Sequence, residues 1–166
     1  MNLTFPTAAL RFAFLGLFAA AGLLNSACTK DPEVLSDEEQ LQKYIKANNI
    51  TNAERKASGL YYVPVLTNTS SARPRTGDSV YVLYTGALMD GSVFDATSRR
   101  NNRPFGFVLG RGQVIAGWDE GIALMRKGEK AQLLIPSSLG YGARGAGGSI
   151  PPKASLRFDV ELVNIK

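Results

Sequence analysis

The chain has 166 residues, 45% of them hydrophobic and 20% charged, a composition that indicates one folded domain with appendages and excludes disorder throughout. Its formal net charge of +5 comes without a run of like charges long enough for a nucleic-acid-binding arm. With no histidine and a single cysteine, the sequence excludes a Ser-His or Cys-His pair, a histidine-ligated metal site and an intramolecular disulfide.

Residues 1–27 have the pattern of a bacterial secretory signal peptide. Arg11 supplies a positive charge, and an apolar run of 13 residues extends from Phe12 to Leu24. That run is shorter than the about 20 residues that a membrane-spanning helix needs. We therefore expect this segment to direct export rather than to cross the membrane permanently.

The small residues before Cys28 resemble a lipoprotein signal, in which the cysteine becomes the acylated first residue of the mature chain. Asn25 departs from that pattern, which prefers leucine at its position, and ordinary cleavage after Ala27 is the alternative. Lipidation of Cys28 would anchor the protein to the membrane of a bacterial cell envelope. Because Thr29 stands where an aspartate would resemble an inner-membrane retention signal, the outer membrane is favoured.

Residues 28–58 are predicted to form a tether followed by a short helix. Ser36 and Glu39 have the spacing of a capping box at a helix start. Apolar residues at positions i, i+3 and i+4 then follow, at Leu41, Tyr44 and Ile45. Such a narrow stripe on a helix of about 13 residues is marginal alone. We expect the helix to dock on the main domain, and a dimer contact is the sharper alternative.

The remaining residues, 59–166, predict an α+β fold. Strand patterns occur at 60–66, 80–88, around 93–94, and at 105–110, 130–136 and 154–166. The last is the clearest because apolar and charged residues alternate from Leu156 to Leu162. Pro64 predicts an edge position for the first strand. The one strong helix signal between the strands extends from Ile115 to Met125, so we expect an antiparallel sheet with one short α-helix.

Three motifs occur in order within this domain. They are YTGALMDGSVFDAT from Tyr84 to Thr97, VIAGWDEGI from Val114 to Ile122, and YGARGAGGSIPPKASLRFDVEL from Tyr141 to Leu162. Together they resemble the FKBP-type peptidyl-prolyl cis/trans isomerases over about residues 73–166, in a bacterial lipoprotein form. The resemblance implies a sheet curled around one short helix, and an enzyme that rotates X–Pro bonds of envelope or secreted proteins with no cofactor or metal.

The resemblance also implies an aromatic pocket that binds proline. The catalytic residues it implies are Tyr84, Asp95, Tyr141 and Phe158, and the substrate-binding residues are Phe94, Phe105, Val114, Ile115, Trp118 and Ile150. The Ile115 N–H and the Tyr141 hydroxyl would bind substrate carbonyls, and Trp118 would be the floor. Either Arg99 or Arg100 would lie beside Asp95. The implied partners are proline-containing unfolded or folding polypeptides, together with macrolide inhibitors.

Taken singly, Phe105, Phe158 and Trp118 are more often ordinary core residues, and Asp95 is compatible with a simple ion pair to a neighbouring arginine. This chain also departs from the family pattern at the rim: one extra residue follows Asp95, Gln113 stands where glutamate is frequent, and Ala146 where histidine is common. We expect such changes to alter peptide preference and macrolide affinity rather than the reaction. The alternatives to an enzyme are a chaperone module that binds proline segments with incidental turnover and, more remotely, a structural spacer.

Overall fold

The structure, a computed structural model, describes residues 35–166, which are built on a seven-stranded sheet. The predicted signal peptide, the lipidation site at Cys28 and the tether lie outside the described residues. Within residues 35–166, no helix is long and apolar enough to cross a membrane.

The helices and strands follow the predicted order. Their bounds are α1 Asp37–Ala47, β1 Glu54–Arg55, β2 Tyr61–Leu66, β3 Ser79–Leu88, β4 Val93–Ala96, β5 Phe105–Val108, α2 Ala116–Ala123, β6 Lys130–Ile135 and β7 Leu156–Ile165. Single 3-10 turns occupy Thr97–Arg100, Ser137–Leu139 and Gly142–Arg144. The six predicted strands are each found within a few residues of their predicted ends. The two-residue strand β1 and the 3-10 turns are too short to give a periodic signal in the sequence.

All neighbouring strands are antiparallel, in the order β1-β2-β6-β7-β3-β4, and β5 pairs with β3 beside β4. The central pair is β3 with β7, which runs from Val80 opposite Ile165 to Leu88 opposite Leu156. This topology confirms the predicted α+β class. Pro64 lies beyond the part of β2 that β1 covers, next to an irregularity in the pairing with β6. Its missing N–H is tolerated there because that side of β2 is an open edge.

Helix α2 packs against one face of the sheet, and its backbone comes unusually close to the side chains of β6. A Cβ atom at Gly117 would come within 2.5 Å of Ile135, and one at Gly121 within 2.7 Å of Leu133. Two glycines on one side of the helix therefore allow it to approach β6 closely. Around this contact the main core forms, and Val80, Ile122 and Leu162 are fully buried in it.

Helix α1 packs on the opposite face, as predicted from its apolar stripe. Leu41 is fully buried and joins Tyr44, Tyr61, Val63 and Leu134 in a second apolar cluster. Neighbouring strand residues point to opposite faces, so Leu134 faces α1 while Leu133 faces α2. The predicted capping box is also present, because the N–H of Glu39 donates to Ser36 Oγ and the N–H of Ser36 donates to the Glu39 carboxylate.

Candidate active site

A cavity of about 280 Å³ opens between α2, the strands β3, β4, β5 and β7, and the loop after β6. Its lining residues are Tyr84, Phe94, Asp95, Arg100, Phe105, Gln113, Val114, Ile115, Trp118, Tyr141 and Phe158. The structure thus brings together nine of the ten residues that the family resemblance placed in one pocket. Arg100 and Gln113 are the additional lining residues.

The exception is Ile150, which is not among the residues that line this cavity. Its side chain is 6% exposed and packs in the main core. Two backbone hydrogen bonds with Ala146, of 2.9 and 3.1 Å, pair Ile150 across the loop after β6. Its contact with substrate stays a prediction.

Aromatic rings in edge-to-face contact form the floor of the cavity. The Trp118 ring lies 4.9 Å from Tyr84 and 5.2 Å from Phe158, with interplanar angles of 80° and 83°. Phe94 meets Phe158 in the same way at 5.5 Å. Such geometry is the preferred one for aromatic pairs, so each ring fixes the orientation of its neighbours. The result is an apolar surface built from three strands and one helix.

Gly86 makes this packing possible and was not identified from the sequence. It lies on β3, where a Cβ atom would come within 2.6 Å of the Phe158 ring and 2.7 Å of the Phe94 ring. Those distances are shorter than any van der Waals contact. Only glycine at this position allows both rings to reach their places.

Asp95 is the charged centre of the rim. Its carboxylate accepts a hydrogen bond of 2.5 Å from the Tyr84 hydroxyl and bonds of 2.8 and 2.9 Å from one guanidinium nitrogen of Arg100. The sequence left Arg99 and Arg100 as alternatives, and the structure selects Arg100. Arg99 donates instead to the carbonyls of Phe94 and Val93, at 2.8 and 3.0 Å. Successive residues in a 3-10 turn point about 120° apart, which explains why the two arginines have different partners.

These contacts fix the protonation states of the rim. Burial alone would raise the pKa of Asp95, but the hydrogen bond from Tyr84 and the charge of Arg100 outweigh it and hold that pKa below its usual value. Burial, and then the hydrogen bond to Asp95, raise the pKa of Tyr84 to about 12. Burial and the charge of Asp95 also raise the pKa of Tyr141. At neutral pH the rim therefore presents one carboxylate and two protonated hydroxyls.

Two hydrogen-bond donors flank the aromatic floor. The carbonyl of Ile115, at the start of α2, accepts from Trp118, whereas the Ile115 N–H donates to nothing within residues 35–166. The Tyr141 side chain is 39% exposed, and its hydroxyl likewise has no hydrogen-bond partner in the described part of the chain. Both donors are thus available to carbonyl groups of a bound peptide.

The loop that carries Ile115 is held from both sides. Asp119 of α2 accepts hydrogen bonds from the N–H groups of Gly110 and Gly112, at 2.8 and 3.1 Å. The side-chain oxygen of Gln113 accepts from the Val108 N–H at 3.0 Å. Gln113 is therefore an anchor of the loop as well as a rim residue.

A second hollow, of about 310 Å³, lies on the other side of β3 and β7. Its lining combines aliphatic residues with polar ones and includes Lys130 and Glu161, which form an ion pair of 3.1 Å. Of the aromatic residues, only Tyr84 contributes to it. This hollow therefore has no floor of contacting aromatic rings, and the aromatic cavity is the candidate active site.

Comparison with known proteins agrees with the geometry. The sequence profile of the family described as FKBP-type peptidyl-prolyl cis-trans isomerase matches residues 70–163. The chain belongs to this family. As an FKBP-type isomerase it resembles FK506-binding protein 1 of Dictyostelium discoideum, with 55% identity over 93 residues that cover 56% of this chain and 86% of the relative.

Two other known proteins are also similar to this chain. Peptidyl-prolyl cis-trans isomerase Fkbp12 of Drosophila melanogaster is 45% identical over 108 residues, 65% of this chain and 99% of the relative. The crystal structure of FkpA from Escherichia coli superimposes with a TM-score of 0.68 and 37% identity, covering 79% of this chain and 59% of that one. The profile match begins at residue 70, so α1, β1 and β2 of this FKBP-type isomerase precede the matched region.

Proposed function

We propose that this isomerase accelerates X–Pro rotation by desolvating the amide in the aromatic cavity and by hydrogen bonding, without covalent chemistry. The observation that carries the proposal is the edge-to-face floor of Trp118, Tyr84 and Phe158, flanked by the donors of Ile115 and Tyr141. A proline ring is apolar and fits such a floor.

Rotation about an X–Pro bond requires little more than an apolar surface and a few hydrogen-bond donors. Rotation about the X–Pro bond loses the amide conjugation at its midpoint, and the barrier is roughly 18–20 kcal/mol. The twisted amide is less polar than the planar one, so an apolar cavity destabilises the ground state relative to the transition state. A thousandfold to millionfold acceleration needs roughly 4–8 kcal/mol of such differential stabilisation.

The polar groups that border the aromatic floor have separate roles in this mechanism. The Ile115 N–H and the Tyr141 hydroxyl bind carbonyls on either side of the rotating bond and hold the flanking chain still. Asp95, oriented by Tyr84 and Arg100, places its charge beside the amide as conjugation is lost. None of these groups gains or loses a proton during rotation.

The test measures isomerisation of short Leu-Pro and Ala-Pro peptides by protein spanning residues 34–166, which form one compact unit. We expect strong acceleration, abolished in the double variant Asp95→Ala, Phe158→Ala. The control is Asp159→Ala, which removes a carboxylate from the neighbouring residue of β7 outside the cavity. A folded double variant that keeps the parent rate would refute the assigned site. Tight binding of proline peptides without turnover would favour the chaperone-module alternative.

We also propose that the enzyme acts in a bacterial cell envelope, anchored by a lipid on Cys28 and facing proteins that fold after export. The short apolar run before Cys28 supports this, as does the slowness of uncatalysed proline isomerisation during folding. Mass spectrometry of the mature N-terminal peptide, from full-length protein expressed in a bacterium, should find Cys28 acylated, and the Cys28→Ser variant should leave the membrane fraction. An unmodified Cys28 would contradict the anchor, and outer- and inner-membrane fractions distinguish the membranes.

Macrolide binding is the third part of the proposal. The Dictyostelium relative carries FK506 in its name, and the aromatic floor of this chain offers the same kind of apolar surface. Trp118 is the only tryptophan of the chain, so its fluorescence reports directly on the cavity. We expect FK506 to change this fluorescence and to inhibit isomerisation at the same concentrations. An unchanged signal with undiminished activity would argue against it.

A further inference from the structure

The ends of the loop after β6 meet at a carboxylate from outside the matched family region. The Asp37 carboxylate, in the first turn of α1, accepts hydrogen bonds from the Ser137 N–H at 2.9 Å, the Ser137 hydroxyl at 2.8 Å and the Ser155 hydroxyl at 2.9 Å. Ser137 and Ser155 are 8% and 1% exposed. Buried hydroxyl groups need partners, and Asp37 supplies them for both.

The segment between these two serines carries Tyr141. It begins with the 3-10 turn Ser137–Leu139, whose first residue is preceded by Pro136 and has no capping side chain of its own. The Asp37 carboxylate acts as the capping side chain of this turn, because it accepts a hydrogen bond from the Ser137 N–H. Tyr141 follows the turn by two residues, and its hydroxyl has no hydrogen-bond partner within residues 35–166 that would hold it independently. The position of Tyr141 therefore depends on the position and orientation of this 3-10 turn.

Gln40, one helical turn further along α1, adds weaker contacts to the same loop end. Its amide donates to the Lys153 carbonyl and accepts from the Ser155 N–H, both at 3.4 Å. The hydrogen bonds of α1 with this loop lie at the two loop ends, while Tyr84, Phe158 and Trp118 of the aromatic floor lie on β3, β7 and α2.

From this geometry we infer that Asp37 is a positioning residue of the isomerase, which joins the two ends of the loop 137–155 and thereby places the Tyr141 hydroxyl over the cavity. The inference rests on the proposed role of Tyr141 as a donor to the substrate. Helix α1 then contributes to catalysis as well as to stability, although it touches no substrate.

A double-mutant cycle tests the coupling. In protein spanning residues 34–166, Tyr141→Phe removes only the hydroxyl, and Asp37→Ala removes the three hydrogen bonds at the loop ends. One ordinary hydrogen bond corresponds to about fivefold in rate, so we expect each variant to lose about fivefold in kcat/KM. If Asp37 acts through Tyr141, the double variant should lose no more than Tyr141→Phe alone.

Conservative and control variants separate positioning from stability. Asp37→Asn keeps an acceptor for the Ser137 N–H and the Ser155 hydroxyl and should restore most of the activity lost in Asp37→Ala. Glu38→Gln weakens the attachment of α1 to Tyr61 and Arg55 without touching the loop, so it should lower stability but leave kcat/KM unchanged. If Asp37→Ala does not fold, Ser137→Ala removes one of the three bonds and takes its place in the cycle.

The outcomes are distinct. If Tyr141→Phe keeps full activity, the proposed role of Tyr141 fails and the inference falls with it. If Tyr141→Phe is impaired but Asp37→Ala is not, only the inference is overturned. It is also overturned if the losses of the two single variants multiply in the double variant, because the two residues would then act independently.

Discussion

Replacing Gly86 by alanine should damage catalysis through packing alone. The backbone of Gly86 does not have a positive φ, so alanine causes no backbone strain there. The added methyl group would lie 2.6 Å from the ring of Phe158 and 2.7 Å from that of Phe94, against an ordinary contact of about 3.5–4.0 Å between carbon atoms. Both rings must therefore move by about 1 Å, away from the orientation that the floor requires.

The expected cost has two parts. Overpacking of this kind destabilises a fold by about 1–3 kcal/mol, measurable by denaturant unfolding. A displacement of about 1 Å in a binding surface reduces kcat/KM up to about a hundredfold, and we expect a loss between tenfold and a hundredfold on Leu-Pro peptides.

Gly121→Ala is the matched control. Its methyl group would lie 2.7 Å from Leu133, in the core between α2 and β6, and Leu133 does not line the cavity. It should therefore disturb core packing without placing an atom directly against the rings of Phe158 or Phe94. The reasoning would be refuted if Gly86→Ala kept kcat/KM within twofold of the parent, or if Gly121→Ala lost as much activity at equal stability.

Four further predictions concern pH and helix α1. Because the pKa of Asp95 lies below its usual value and that of Tyr84 at about 12, with the pKa of Tyr141 also raised, kcat/KM should be flat from about pH 5 to 9, and a bell-shaped profile there would contradict the mechanism. The stability that Asp95 supplies should be present above its unfolded pKa of about 3.9 and be lost as the pH falls through its lower folded pKa, as acid unfolding at several ionic strengths would reveal. Leu41→Ala should cost about 2–5 kcal/mol of unfolding free energy, since Leu41 is fully buried, and a loss under 1 kcal/mol would mean that α1 is not docked. Ser36→Ala should cost about 1 kcal/mol in the same unfolding assay through loss of the capping box, and Ser36→Asp, which can still cap the helix, should recover it.

The sequence predicted what depends on local patterns. Alternation from Leu156 to Leu162 defines β7, and the capping box at Ser36 marks the start of α1, because period and capping are properties of neighbouring residues. The pocket residues came from the order of three motifs, which carry the geometry of a known fold. The roles assigned to them remain predictions.

What the sequence did not predict depends on contacts between distant segments. The choice between Arg99 and Arg100 follows from the direction of a 3-10 turn that has no periodic signal. Asp37 and Ser137 lie 100 positions apart, so nothing in the pattern around either residue indicates that they meet. Ala146 and Ile150 pair through two backbone hydrogen bonds inside the glycine-rich loop, a contact that leaves no periodic signal in the sequence.

The two hydrogen bonds of Arg99 have a consequence for the open edge of the sheet. Strand β4 is the last strand on its side of the sheet, and an exposed sheet edge pairs readily with any extended polypeptide. Arg99 occupies the carbonyls of Val93 and Phe94 on this strand, right beside the cavity. An extended segment that approaches this edge therefore meets two carbonyls that already accept hydrogen bonds from a side chain of the same protein.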